Sequence, residues 1–140
     1  MSEEKEFSTV LSRKITDADL SFCVDMANKH EANMGVTLFC KGIIITGMII
    51  SGREYYAGVA DSFGLKQDGA SAWGDYFRQV GGVVYSKQDG EEDKEFPNIF
   101  IHLKDVKLSA GTSGFTPYKN AFLRLKVEEI DGHIIGIASV

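Results

Sequence analysis

Apolar and polar residues alternate most plainly over Met34-Gly-Val-Thr-Leu-Phe-Cys-Lys-Gly-Ile-Ile-Ile-Thr-Gly-Met-Ile-Ile-Ser-Gly52, which reads as two β-runs hinged at Lys41-Gly42. Val36, Leu38 and Cys40 fall on one face, with Thr37 and Lys41 on the other. The second run carries Ile43, Ile45, Met48 and Ile49 around Gly47, a position suited to a bend. Ahead of this hairpin, Leu20, Cys23, Val24 and Ala27 recur at helical spacing as far as Lys29-His30, behind a Thr16/Asp19 pair that resembles a capping box with the shorter acid. The spacing predicts a helix from Asp17 to His30, whose cationic end suits the negative pole of the helix dipole.

Beyond Gly52 the period changes. Tyr56, Val59, Ala60 and Phe63 share one helical face, and Ala72, Trp73, Tyr76, Phe77 and Val80 share another over Ala70 to Val80, which predicts a helical insertion over residues 53–82. Gln88-Asp-Gly-Glu-Glu-Asp-Lys-Glu95 opens a charged loop, residues 88–96, whose acidity disfavours packing. Alternation then returns. Ile99, Ile101 and Leu103 face away from Phe100, His102 and Lys104, with Val106 and Leu108 continuing the strand or opening a bend. Gly111 to Pro117 reads as a loop, and Ala121 to Glu128 as a strand. Asp131-Gly132 signals a tight hairpin turn into a final strand, Ile134 to Val140. The expected fold is α+β: a small antiparallel five-stranded barrel of the SH3/Sm-like kind, or a curled sheet, with an N-terminal helix and a helical insertion between strands 2 and 3.

The 140 residues read as one domain, long enough to bury a core without metal or disulfide. Residues 1–14 form a polar arm ahead of it. Cys23 and Cys40 each lie in an apolar run, and Cys/His ligand spacings are missing, so neither metal nor cofactor is expected. The acidic opening Met1-Ser-Glu-Glu-Lys-Glu lacks a secretory pattern, and apolar runs fall short of a membrane span, which predicts a cytoplasmic protein. A net charge of -5 disfavours nucleic acid as a partner.

The candidate chemistry is sparse. His102 would serve as a base or ligand if carboxylates converged on it, but a histidine within a sheet is the plainer reading. His30 is explained by a helix end and His133 by a turn. The acidic run Asp89, Glu91, Glu92, Asp93 and Glu95 lacks calcium-loop spacing, and Gly111-Thr-Ser-Gly114 lacks the Gly-Lys-Ser/Thr of a phosphate loop. Tyr55, Tyr56, Trp73, Tyr76 and Phe77 make either a buried helix face or an exposed contact patch for a protein partner.

Two resemblances follow from these residues. The hairpin Val36 to Ile49, with its bent second strand and leading helix, looks like the opening of an Sm-like barrel, and implies a ring-forming RNA binder contacting phosphates through Lys41, Arg53 and Lys104. The second covers more of the chain. Ala27-Asn-Lys-His30 leading into Val36-Thr-Leu, Ile45-Thr-Gly47 with Ser51-Gly-Arg-Glu-Tyr-Tyr56, Phe100-Ile-His-Leu-Lys-Asp105, and Val127-Glu-Glu-Ile-Asp-Gly132 with Gly136 are similar, in order, to the gas vesicle accessory protein GvpU family. That resemblance implies a non-enzymatic role in assembly or association of a protein shell, with a shell protein or a second copy as partner and no catalytic residue to carry over. A third expectation is a small-molecule site in a barrel mouth around His102, Asp105 and Tyr118. Open sheet edges would in addition favour a homo-oligomer.

Overall fold

A computed structural model describes residues 15–64, 70–111 and 114–138, with side-chain surroundings excluded at 70 and 71. The polar arm, residues 1–14, lies outside the described residues. The elements run α1 (Ala18–His30), β1 (Met34–Cys40), β2 (Ile43–Ile50), α2 (Gly52–Ser62), α3 (Ala70–Val84), β3 (Phe100–Ser109), β4 (Thr116–Tyr118), β5 (Leu123–Lys126), a 3-10 turn (Val127–Glu129) and β6 (Gly132–Ile135).

The first helix starts one residue later than the capping-box reading implies. Asp17 is its N-cap, and its Oδ1 accepts from the Asp19 and Leu20 amides at 2.9 and 3.1 Å. A carboxylate beside the positive end of the dipole does this better than a threonine hydroxyl. The hairpin β1–β2 turns at Lys41 and Gly42, whose φ values of 53° and 84° are the left-handed pair that a tight primed turn needs.

The six strands form one antiparallel sheet in the order β4-β3-β2-β1-β6, with β5 also pairing β3. The sheet is open. The expected five-stranded barrel is therefore corrected, and the reason lies in where the later strands go. Thr116–Tyr118, in a stretch read as loop, adds the sixth strand beside the second half of β3, while β5 covers the first half. The predicted Asp131-Gly132 hairpin does not form, because Gly132 lacks a positive φ and Val127 and Ile130 are buried. Sinking those two side chains carries the chain across the sheet to β1, where β6 pairs Val36 with Ile135. The final strand also stops early: Gly136 turns with φ 116°, and the Ala138 amide donates to the hydroxyls of Thr37 and Thr46 at 2.9 and 3.1 Å.

One sheet face is apolar. Val36, Leu38, Ile45, Ile49, Ile101 and Leu103 pack beneath Leu20, Val24 and Ala27 of α1. The Gly47 bend is a bulge: Thr46 faces Lys107 while Met48 faces Lys104, leaving Asp105 and Val106 opposite Gly47 alone. The other face carries Thr37, Thr46, Ile50 and His102, and the α2–α3 pair covers its Ile50–His102 end. The insertion spans Gly52 to Val84, three residues longer than read from sequence. The acidic loop packs more than its charge suggests, since Phe96 at its end joins the buried Tyr56–Tyr85 cluster, and Lys94 caps α3 by donating to Val83 O and Ser86 O. Among the described residues no helix is long and apolar enough to cross a membrane.

Gly52 sits where a Cβ would come within 2.3 Å of the Tyr85 ring. Gly52→Ala is expected to destabilise the chain by about 2 kcal/mol, because the ring is wedged and overpacking displaces it. Gly82, on α3, has nothing within 4 Å of a Cβ, so Gly82→Ala is expected to stabilise by about 0.5 kcal/mol or more. Urea titrations of the two variants check the opposite signs.

Candidate functional site

The aromatic residues of the insertion gather around His102. The Tyr55 ring lies 4.5 Å from the imidazole, centroid to centroid, and Tyr85 meets it edge-on at 5.6 Å. His102 is 1 % exposed, and its Nε2 has no hydrogen-bond partner among the described residues. Burial, and after it the nearby Arg124 cation, pulls its pKa down to about 3. Burial likewise pushes the Tyr55 and Tyr85 hydroxyls above their ordinary range. Arg124 stands opposite His102 on β5. Its guanidinium covers the Phe100 ring at 3.7 Å and donates to the Tyr56 hydroxyl, so the half-buried cation is held by π-faces and a phenol oxygen.

From this buried end a ladder of rings runs outward. Tyr56 stacks on Tyr85 at 5.6 Å and lies 5.9 Å from Phe77, Phe77 packs on Phe63 at 5.9 Å, and Phe63 stacks on Trp73 at 6.3 Å. The five residues singled out from the sequence therefore divide. Tyr56 is core, Tyr55 and Phe77 are half-buried, and Trp73 and Tyr76 are 61 % and 57 % exposed. On α3 the side bearing Gly74, Phe77 and Gly81 turns inward. Tyr76 and Val83 lie on the far flank of the apolar sector, which is wider than α2 can cover. Arg124 and Tyr85 were missed. Arg124 alternates with Leu123 and Leu125 and so reads as solvent-facing, and Tyr85 lies beyond the predicted end of its helix.

The other candidates separate. Lys41 pairs with Glu129 at 3.1 Å, Arg53 with Glu31 at 2.6 Å and Lys104 with Glu54 at 2.8 Å, so each phosphate candidate already faces a carboxylate. The Glu54 hydrogen bond raises the Lys104 pKa. Asp105 and Tyr118 share a shallow cleft of about 180 Å³ with Lys107 and Lys119, whereas His102 lies beneath the helices. His30 is the last residue of α1. His133 is not in a turn but on β6, its Nδ1 2.6 Å from Asp17 Oδ2. Asp17, Asp19 and His133 hold ligand atoms within 4.8 Å of one another, yet the Asp17 carboxylate is engaged by the helix cap and the imidazole. Burial pushes the Asp17 pKa up, but the Leu20 amide and His133 more than offset this and hold it low. Thr112 and Ser113 of the glycine loop lie outside the described residues.

Comparison with known proteins gives one family: the model described as Gas vesicle protein GvpU-like matches residues 17–138, which takes in every element from α1 to β6. No curated protein and no solved structure matches the chain.

Acid should weaken the aromatic cluster through His102. In the unfolded chain the imidazole takes a proton near pH 6.5, and in the folded chain only near pH 3, so between these values the unfolded state binds more protons. This contribution is complete above pH 6.5 and falls by about 1.4 kcal/mol per pH unit below it. His102→Leu, which fills a similar volume without a titrating group, is expected to flatten that slope in denaturation curves taken between about pH 5 and 7.

Proposed function

Since this chain belongs to the GvpU-like family of gas vesicle proteins, we propose that it is a non-enzymatic accessory protein that associates with the protein shell of the vesicle through the aromatic stripe of α3. The observation that carries this reading is the exposure of Trp73 and Tyr76, with Val83 beside them at 66 %. Tryptophan and tyrosine are the side chains that most often dominate binding energy at protein interfaces. Trp73 is stacked on Phe63, which rests on Phe77, so docking would cost it little side-chain freedom. Arg78, paired with Asp61 at 3.2 Å and Asp75 at 3.9 Å, gives the stripe a polar rim. The non-enzymatic part of the reading draws support from His102: the histidine weighed from sequence as a base or ligand is closed beneath tyrosines. The shell as partner, and a role in its assembly or association, come from the family.

Gas vesicles rise on centrifugation, which makes the test direct. The chain is expected to float with isolated vesicles, and the Trp73→Ala/Tyr76→Ala double variant to lose that association by about tenfold or more while keeping its circular dichroism spectrum. A wild-type chain left behind in the subnatant, or a double variant that floats equally well, overturns the reading.

A further inference from the structure

Among the described residues the sheet has two outer edges, and they are built differently. The side of β3 away from β2 is covered by β4 and β5, two short pieces interrupted between Tyr118 and Leu123; the first carries Pro117, and the second ends at the exposed Lys126. Proline, cations and broken strands are the devices that keep a sheet edge from accepting another chain. The opposite edge, β6, lacks them. Gly132-His-Ile-Ile135 contains no proline and no permanently charged side chain, and His133 is held to Asp17 on the α1 side. Ile134 and Ile135 point to opposite faces and are 55 % and 54 % exposed.

The register tells which main-chain groups are free. The Gly136 amide donates to Gly35 O at 2.9 Å, in line with the pairing of Val36 with Ile135 and Thr37 with Ile134. In an antiparallel ladder inward and outward groups alternate, so Ile134 and Gly132 are spent on β1 while the N–H and C=O groups of His133 and Ile135 point outward.

We propose that this outer edge of β6 is a self-pairing site, at which two copies of the chain join their β6 strands antiparallel about a two-fold axis at Ile134. On that axis His133 faces the partner's Ile135, and the reciprocal pair completes four main-chain hydrogen bonds. Ile134 meets the partner's Ile134 on the face that carries Thr37. A second copy suits the edge because the pattern is complementary to itself: with no fixed charge on the strand, the two-fold sets no like charges opposite one another, and exposed isoleucines on both faces gain cover together. Four residues supply few bonds, so the dimer should form in proportion to concentration. The surface is separate from the α3 stripe and does not rest on shell binding.

Sedimentation velocity over a concentration series tests this. The wild-type mass is expected to climb from 15.4 kDa towards twice that value, and Ile134→Lys, which sets two ammonium groups face to face, to remain at the lower mass with an unchanged circular dichroism spectrum. Register is read by oxidation: Ile134→Cys should give a reducible cross-linked dimer, because the axis brings the two thiols together, whereas Ile135→Cys, facing His133 of the partner subunit, should not. A wild-type chain that stays monomeric up to millimolar concentration, an Ile134→Lys chain that dimerises like wild type, or equal cross-linking at both positions overturns the proposal.

Discussion

Much of the architecture rests on one buried carboxamide at the corner of the sheet. Asn28, near the end of α1, accepts the Gly52 amide at 2.8 Å through Oδ1 and donates to Pro97 O at 3.2 Å through Nδ2. Three separate chain segments meet there: the end of the helix on one face, the start of the helix on the other, and the return into β3. Buried main-chain groups without a partner cost free energy, so a side chain that satisfies one donor and one acceptor at once fixes how these segments sit. Glu31 adds to the same corner. It closes α1 in the left-handed conformation, and its carboxylate takes up the Ser51 hydroxyl and the Arg53 guanidinium.

The two sheet faces then carry different duties. Beneath α1 the contacts are aliphatic and continuous, from Leu20 to Val127. The opposite face is mixed: paired threonines under the turn at Gly136, and a ring cluster under the helical insertion. Buried threonine hydroxyls are tolerated because each is engaged, Thr37 with Gly136 O at 2.9 Å and Thr46 with Val36 O at 3.3 Å. Among the described residues His102 is the exception, its Nε2 without a partner in an apolar setting, and so packing and polarity disagree where the insertion covers the sheet.

What could be read from sequence divides along the same line. The β1–β2 hairpin, the three helices and the long β3 were legible, because turn chemistry at Lys41-Gly42 and apolar periodicity are local signals. The destinations of β4, β5 and β6 were not. Leu123 to Lys126 alternates equally well whether it pairs with β3 or with β6, and only the burial of Val127 and Ile130 decides. The aromatic stripe of α3 was legible in its residue types and not in its exposure. Tyr56 and Tyr76 both lie in apolar periodic stretches, and one is core while the other faces water because α3 offers more apolar surface than α2 covers. Arg124 was invisible for a third reason: its role depends on standing opposite His102 across two strands distant in sequence.

Thr37 and Gly136, bonded across the sheet, lie 99 residues apart. During synthesis β1 leaves the ribosome long before β6 is made, so the hairpin β1–β2 emerges with Val36 and Leu38 bordering an unfilled strand position. Contacts of such separation form slowly, since a long loop must close before it is rewarded. The nascent chain thus carries an open sheet edge on each side of its first hairpin until β3 and β6 arrive, and the order of translation makes β6 the piece for which a holding chaperone would have to wait.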